Sequence, residues 1–234
     1  IIDRPQDFFW NIYFSSMDSI SQYYPVIGIP GNHEYIKGVL QTLDERFIHV
    51  YPYFIDSRQK KNTVYSTTYG NTAIITLDSN REYWHLSSQA NWLEEKLKEA
   101  ENFKWKIVVL HHPIYSIKGK FNNYPVKFAF EKLMKKYNVD LVLQGHEHAY
   151  ARLANTDKDD VPTTPLYIIG VTAPKKLYKV KGKEYDKYGF GKHFYHIINV
   201  DNNSLSVLTY NDDHELFDNV HITKENNKAV VSFD

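Results

Sequence analysis

The chain has 234 residues and no cysteine, and this absence is the first limit on its chemistry. Disulfide bonds and thiolate zinc sites are excluded, so a metal ion would be held by His, Asn, Asp, Glu or Tyr side chains. An excess of one charge sign is also lacking, because 28 Lys and Arg residues balance 28 Asp and Glu residues. A neutral chain has no global field that attracts nucleic acid or an anionic membrane. Any selectivity for an anionic ligand must therefore be local.

Long apolar runs are missing as well. No run approaches the roughly 20 residues of a membrane span, and the first ten residues lack the basic start and apolar core of a signal peptide. With 42% apolar and 24% charged residues, the chain is able to bury one sizeable core. We therefore predict a single domain over residues 1–234, whose last part, from about residue 154, consists mainly of strands.

Apolar periodicity and turn signals predict helices and strands in alternation, followed by strands alone. Helix-spaced apolar residues predict helices over residues 7–24, 37–46, 87–100 and 125–137, with Ser88 near the cap of the third. Runs rich in β-branched residues predict strands over residues 26–29, 63–69, 72–78, 106–110 and 140–143, with a hairpin turn at Gly70-Asn71. Beyond Arg152, strands are predicted over residues 166–171, 193–200, 205–210 and 220–223.

Helices that alternate with strands, and then a meander of strands, predict an α/β fold with helices outside and mixed sheets inside. In such folds ligands bind at the carboxyl ends of strands. Polar loops follow predicted strands in this chain, at residues 31–34 (GNHE), 111–112 (HH) and 145–148 (GHEH). Imidazole is the commonest protein ligand for a borderline metal such as zinc or iron, and two His separated by one residue can face neighbouring ions. The pattern favours His146 and His148 as metal ligands.

These loops resemble the ordered motifs of the calcineurin-like metallophosphoesterases, which are a GNH-E/D loop, a strand that ends in His, and a GH-x-H loop. The similarity is closest to the purple acid phosphatases, through residues 29–34 (IPGNHE), 77–79 (LDS), 89–93 (QANWL) and 149–152 (AYAR). The resemblance implies a layered α-β-β-α sandwich of mixed sheets. It also implies hydrolysis of phosphate mono- or diesters by metal-activated water, without a covalent intermediate.

The resemblance further implies two metal ions about 3.5–4 Å apart, either divalent or of iron type, from the set Fe, Zn and Mn. Asn32, His111 and His146 would bind one ion, and His148 would bind the other. His33 would contact the phosphate ester and stabilise the transition state or protonate the leaving oxygen. His112, beside the expected ligand, stands where relatives often carry Ser.

Two carboxylate motifs of the family, Asp-x-His or Asp-x-Gly and then Gly-Asp, are absent from the chain. Its opening resembles the tail of the second motif, cut after the aspartate, so we expect an N-terminally truncated fold. In that register Asp3 takes the place of the iron-binding tyrosine of purple acid phosphatases. Without the carboxylates, we expect the chain alone to bind at best one ion weakly and to be inactive, while the full-length parent is an enzyme. Glu34 is expected to orient its loop.

Two other functions stay open on the sequence. The first is a nuclease or nucleotide phosphodiesterase of the same superfamily, which the neutral charge and the lack of a basic stripe disfavour. The second is a non-catalytic binding module with a degenerate site, which the absent carboxylates suggest.

A small phosphoester is the expected partner, without nucleic acid and without a membrane span. The oligomeric state is open, and a periplasmic or secreted location rests on family analogy. Seven lysines between residues 175 and 192 form either a phosphate-attracting loop or a solvated one.

Overall fold

The structure is a computed structural model that describes residues 6–36, 42–50, 63–80, 83–118, 123–171, 185–225 and 228–234. The helices in this part of the chain are α1 (Asp7–Ser21), α2 (Glu45–Val50), α3 (Tyr83–Glu99) and α4 (Tyr124–Lys136). None of them combines the length and apolarity that a bilayer crossing requires. Two short strands, β1 (Tyr35–Ile36) and β2 (Thr42–Leu43), form a small antiparallel pair.

A seven-stranded mixed sheet forms the centre of the fold. Its strands are β3 (Tyr65–Tyr69), β4 (Thr72–Thr76), β5 (Trp105–Val109), β6 (Leu141–Gln144), β7 (Tyr150–Thr156), β8 (Pro162–Ile169) and β9 (Lys187–Gly189). They lie in the order β3-β4-β5-β6-β8-β7-β9, and the central strands β4, β5, β6 and β8 are parallel. A four-stranded antiparallel sheet follows, with β10 (Phe194–Val200), β11 (Ser204–Asn211), β12 (Leu216–Glu225) and β13 (Lys228–Phe233) in sequence order.

The central sheet is covered on both faces. On one face, helix residues such as Leu93 and Phe130 pack against Val108 and Val142. On the other face, strand residues of the seven-stranded sheet pack against residues of the four-stranded sheet, including Leu141, Leu166, Leu205, Val220 and Ile222. Strands that are buried on both faces read as continuous runs of Val, Ile and Leu, which is why residues 106–110 carry that composition.

Polar links also join the two sheets. Lys224 Nζ, on β12, lies 2.7 Å from the buried carboxylate of Asp140, which precedes β6. The indole Nε1 of Trp105 donates to the carbonyl oxygen of Asp201 at 2.7 Å. A buried charge is costly without a partner, and a buried polar group is costly without a hydrogen bond, so both links stabilise this placement of one sheet on the other.

The predicted α/β sandwich with a large mixed sheet is confirmed. The hairpin is also confirmed, because Tyr69 pairs with Thr72 across the turn and Gly70 has a φ of 55°, which glycine adopts without strain. The strands predicted at 106–110 and 140–143 and the helices at 7–24 and 125–137 agree with the structure within a few residues. The single domain over residues 1–234 and the truncation stay predictions.

Several local predictions are wrong. Residues 26–29 pair with no strand among the described residues. A β-branched run forms a strand only where a neighbouring strand is available for pairing, and composition alone does not supply that neighbour. The helix predicted at 37–46 is replaced, in its described part, by β2 and the start of α2. Helix α3 begins at Tyr83 rather than at Ser87, since buried Leu86 packs its first turn into the core, and Ser88 lies inside it.

Five strands were not predicted, namely β1, β2, β7, β9 and β13, and the strand predicted at 220–223 extends over Leu216–Glu225. Asp3 and the lysines between 175 and 183 lie outside the described residues. The two remaining lysines of that segment are paired with acids: Lys187 with Asp218 at 3.3 Å and Lys192 with Asp213 at 2.6 Å. Neither arrangement favours a phosphate-attracting role for these two side chains.

Candidate metal and phosphate site

Two histidine loops leave the same edge of the central sheet. His111 follows β5 and His146 follows β6, which are adjacent parallel strands with Ile107 opposite Leu141. The ladder continues past the strand ends, because the N–H of Gly145 donates to the carbonyl oxygen of His111 at 2.9 Å. The two imidazole rings therefore meet, with His146 Nδ1 3.2 Å from His111 Nε2.

The side chain of Asn32 completes this cluster. Its Oδ1 lies 2.9 Å from His111 Nε2 and 3.2 Å from His146 Nδ1. Neighbouring ligand atoms around an ion bound at about 2.1 Å are themselves about 3.0–3.4 Å apart in octahedral or tetrahedral geometry. Three expected metal-ligand atoms, from separate parts of the sequence, thus converge at a spacing that fits metal coordination. We call Asn32, His111 and His146 the ligand cluster.

The loop that carries Asn32 is fixed by its neighbours. A Cβ atom on Gly31 would lie 2.9 Å from His111 Cε1, so a glycine is required for the loop to approach the imidazole. The fully buried carboxylate of Glu34 accepts the N–H of Gly31 at 2.6 Å, as expected of a residue that orients the loop. Asn80 Nδ2 donates to the carbonyl oxygen of Pro30 at 2.8 Å from the other side.

Glu147 connects the two histidine loops. Its side chain is 1% exposed, and its Oε2 accepts the N–H of Ile117 at 2.6 Å while its Oε1 accepts the hydroxyl of Ser116. Both partners belong to the loop that begins at His111. The adjacent His146 has a φ of 65°, a left-handed conformation that is costly for a non-glycine residue and persists only where its surroundings hold it.

A third imidazole, that of His112, lies against the ligand cluster. One ring nitrogen from each of His111, His112 and His146 falls within 4.8 Å of the others. The ring centroids of His112 and His146 are 4.3 Å apart. Ser79, which follows β4 at the same sheet edge, lies with its Oγ 3.0 Å from His112 Nδ1.

The family model of the calcineurin-like phosphoesterases matches residues 3–150, well over half of the chain. The chain belongs to this family.

Relatives of this calcineurin-like phosphoesterase include purple acid phosphatases. It is 28% identical over 176 residues to "Probable purple acid phosphatase 20" of Arabidopsis thaliana, covering 68% of this chain and 40% of the relative. It is 30% identical over 151 residues to the phosphoenolpyruvate phosphatase of Allium cepa, covering 61% and 31%. The purple acid phosphatase PPD1 from yellow lupin (Lupinus luteus) seeds has the same fold, with a TM-score of 0.70 at 18% identity over 93% of this chain and 44% of that one. The chain thus spans less than half the length of these relatives, and the sequence resemblance is confirmed.

The imidazoles of this phosphoesterase site are held neutral. Burial lowers the pKa of His111 well below its ordinary value, that of His112 to about 4 and that of His146 to about 3. Repulsion between positively charged rings adds to this effect, and a charge on His33 lowers the pKa of both His111 and His146. Near neutral pH the rings therefore have the uncharged form that metal binding requires.

The outcome for the predicted site residues is uneven. The structure brings Asn32, His111 and His146 together. His33 and His148 are half-buried in the same loops, and a charge on either lowers the pKa of His146, so both lie within electrostatic range of the cluster. The role of each of these five residues stays a prediction.

Sequence reasoning missed Glu147 and Ser79 as positioning residues. Their roles depend on hydrogen bonds to Ile117, Ser116 and His112, at separations of 30 to 33 residues along the chain. The available signal for Glu147 was its place between two histidines directly after a buried strand. A carboxylate that is buried there needs hydrogen-bond partners, and this indicates a positioning role.

Proposed function

We propose that this calcineurin-like phosphoesterase catalyses the metal-dependent hydrolysis of small phosphate mono- or diesters. The main support is the ligand cluster. Its three candidate ligand atoms lie within 3.2 Å of one another, although they come from three separate loops. The purple acid phosphatase relatives support the same reaction class. Because the chain spans less than half of their length, the activity of the whole protein is part of the proposal.

The donor set of the cluster suits borderline metal ions. Asn32, His111 and His146 would hold one ion, and His148 would help to hold a second; Fe, Zn and Mn are the candidates. When bound, such ions supply the Lewis acidity that activates water and stabilises negative charge on the phosphoryl group. The cluster ligands are neutral, so the positive charge of an ion held there is not cancelled by them and attracts the phosphate anion.

His33 is proposed to act on the substrate directly. It follows Asn32 in the loop that Glu34 holds through the N–H of Gly31, so its backbone position is fixed relative to the ligand cluster. A ring N–H from His33 would stabilise the charge that develops on a phosphoryl oxygen, or would pass its proton to the leaving oxygen. Such a group contributes about 10²–10⁴-fold to the rate when it acts as a general acid.

The test combines metal content with turnover. Metal per chain is measured by plasma emission after loading with manganese, zinc or iron, and hydrolysis of p-nitrophenyl phosphate is compared with that of bis-p-nitrophenyl phosphate. We expect bound metal and turnover in the longest native form of the protein, and loss of both when His146→Ala is made in that form. His221→Ala is the matched control. His221 lies on the four-stranded sheet, outside the ligand cluster, and its ring pairs with the carboxylate of Asp234.

The two substrates separate the monoesterase from the diesterase, and a diester preference would favour the phosphodiesterase alternative. Absence of both bound metal and turnover in the longest native form of the protein would refute the proposed function. Binding of a phosphoester without turnover would instead favour a non-catalytic binding module.

A further inference from the structure

His112 is the one imidazole of the site for which the family resemblance supplies no role. Three clustered histidines suggest a metal site in which His111, His112 and His146 all act as ligands. The hydrogen bonds around His112 argue against this interpretation. Whether its ring offers a lone pair or a proton to the site depends on which nitrogen carries the hydrogen, and the partner of the other nitrogen decides that.

That partner is Ser79. Its Oγ accepts the backbone N–H of His112 at 2.8 Å and lies 3.0 Å from His112 Nδ1. The Ser79 side chain is almost fully buried, with 5% of the residue exposed. A hydroxyl has a single hydrogen, and a buried hydroxyl hydrogen needs an acceptor.

Within the part of the chain that the structure describes, Ser79 Oγ has hydrogen bonds only to the backbone N–H and to Nδ1 of His112. The backbone N–H is a donor and accepts nothing. Nδ1 is thus the one acceptor among these contacts for the hydroxyl hydrogen of Ser79, and accepting that hydrogen would place the lone pair of the ring on Nδ1. In the neutral ring the hydrogen must then be on Nε2.

We propose that His112 is a fixed hydrogen-bond donor for a phosphate oxygen, and that Ser79 is the positioning residue that sets its tautomer. The inference rests on the proposed function, because the phosphate would be drawn to ions held by the ligand cluster. A nitrogen that carries a hydrogen cannot also bind an ion, whereas an oriented N–H is suited to an anion. The resulting site contains ligands in His111 and His146 and a donor in His112.

The opposite tautomer makes opposite predictions. If Nδ1 donated to Ser79, Nε2 would have the lone pair, and Ser79 would act as the outer partner that commonly orients a metal-binding imidazole. The two alternatives differ in the position of one hydrogen. They also differ in what is lost when the ring is removed: anion affinity in the first case and metal in the second.

The tautomer is measured by long-range proton–nitrogen correlation NMR on metal-free protein with ¹⁵N-labelled histidine, and His112 is assigned with His112→Gln. We expect protonated Nε2 and unprotonated Nδ1. In Ser79→Ala we expect a mixture of the two tautomers, because the hydroxyl that fixes them is gone. The reverse pattern in the wild-type protein, with the hydrogen on Nδ1, would overturn the inference.

The second test measures metal content and the affinity for inorganic phosphate, by plasma emission and by calorimetry on the zinc-loaded longest native form of the protein. His112→Leu is expected to keep its metal and to lose about 10- to 100-fold in phosphate affinity, the range for a hydrogen bond to a charged group. His112→Gln, whose amide nitrogen reaches the position of Nε2, is expected to restore part of that affinity. His112→Asn, whose amide nitrogen reaches only the position of Nδ1, is not, and His221→Leu is the control.

Loss of metal in His112→Leu would identify His112 as a ligand and overturn the proposal. So would phosphate affinity that is unchanged in the same variant. Failure of the longest native form of the protein to bind metal and to turn over substrate would refute the proposed function instead, and the tautomer of His112 would still be decided by the NMR measurement on the metal-free protein.

Discussion

Replacement of Asp218 by Asn tests whether a single buried carboxylate holds the two sheets together. Asp218 lies on β12 and is 2% exposed. Its Oδ2 accepts the hydroxyl of Tyr150 at 2.6 Å and the Nε–H of Arg152 at 2.7 Å, both from β7. Arg152 is itself 3% exposed, and its guanidinium stacks on the ring of Phe233 at 3.7 Å. The carboxylate therefore compensates a cation that has little access to water.

The expected loss follows from the charge that stays behind. Removing one partner of a buried ion pair costs roughly 3–5 kcal/mol when the other charge is left uncompensated. Arg152 keeps part of its compensation, because its Nη1 lies 3.4 Å from the carboxylate of Asp186. Asparagine keeps the shape of Asp218 and one oxygen acceptor, so we expect the lower end, about 3 kcal/mol. With a urea dependence of about 1–3 kcal/mol per M, the unfolding midpoint should fall by about 1 M or more.

The assay is urea unfolding at pH 7, followed by far-ultraviolet circular dichroism. Asp213→Asn is the matched control: Asp213 makes a comparable contact with Lys192 at 2.6 Å, but the two side chains are 64% and 41% exposed, so its midpoint should not change measurably. The triple variant Tyr150→Phe, Arg152→Met, Asp218→Leu should recover most of the stability, because it buries neither the ion pair nor the Tyr150 hydroxyl, which would otherwise lose its acceptor. A loss below about 1 kcal/mol in Asp218→Asn, or one equal to that of Asp213→Asn, would refute this reasoning.

Three further predictions concern the site and the sheet interface. Gly31→Ala should lower zinc affinity at least about tenfold in a chelator competition, because the new methyl group displaces the His111 ring; equal affinity would contradict the packing argument. Glu147→Gln should cost about 1–3 kcal/mol and speed amide exchange at Ile117, since the charged acceptor of that N–H is lost; unchanged exchange would contradict the link between the loops. Burial lowers the pKa of His196 from 6.5 to about 4, so the unfolded chain takes up the proton first as the pH falls. His196 should therefore contribute a fall of roughly 3 kcal/mol in the free energy of unfolding as the pH decreases from above 6.5 to 4, in addition to the falls from the buried site histidines. The fall in His196→Gln should be smaller than that of the wild-type protein by about this amount; an equal fall in the two proteins would exclude a contribution of His196.

The sequence was informative where local pattern and fold agree. The strand at 106–110 is apolar at every position that the sheet and its covering layers bury, so composition alone identified it. Strand β7 was missed because its buried face carries Tyr150 and Arg152, which read as polar in a local window. Their burial is made possible by Asp218, which lies 66 or more residues further along the chain. The motif 149–152 could thus be matched to a family, but its structural role could not be predicted.

The candidate site shows the same division. The strand-end pattern favoured His146 and His148, and the family resemblance supplied Asn32, His111 and His146 as ligands of one ion. The meeting of His111 and His146 follows from the parallel pairing of β5 and β6, whose carboxyl ends lie at the same sheet edge. Asn32 follows no strand in the described part of the chain, so its approach to the two rings could not be derived in this way. The contacts that hold these loops could not be predicted, because Glu147 binds a backbone N–H of the other loop and Ser79 binds both the backbone and the ring of His112. Such bonds depend on loop conformation, and no spacing in the sequence marks them.

The ligand cluster also has a consequence for folding. Asn32 and His111 are 79 residues apart in the chain, and His111 and His146 are 35 apart, so the unfolded chain does not bring the three donors together. An ion bound by this cluster binds only the folded protein and shifts the folding equilibrium by mass action. At a free metal concentration one hundred times the dissociation constant, the gain is about 2.7 kcal/mol, which is a large fraction of the stability of a typical domain. Metal supply would then change the stability of the fold, as well as the occupancy of the proposed site.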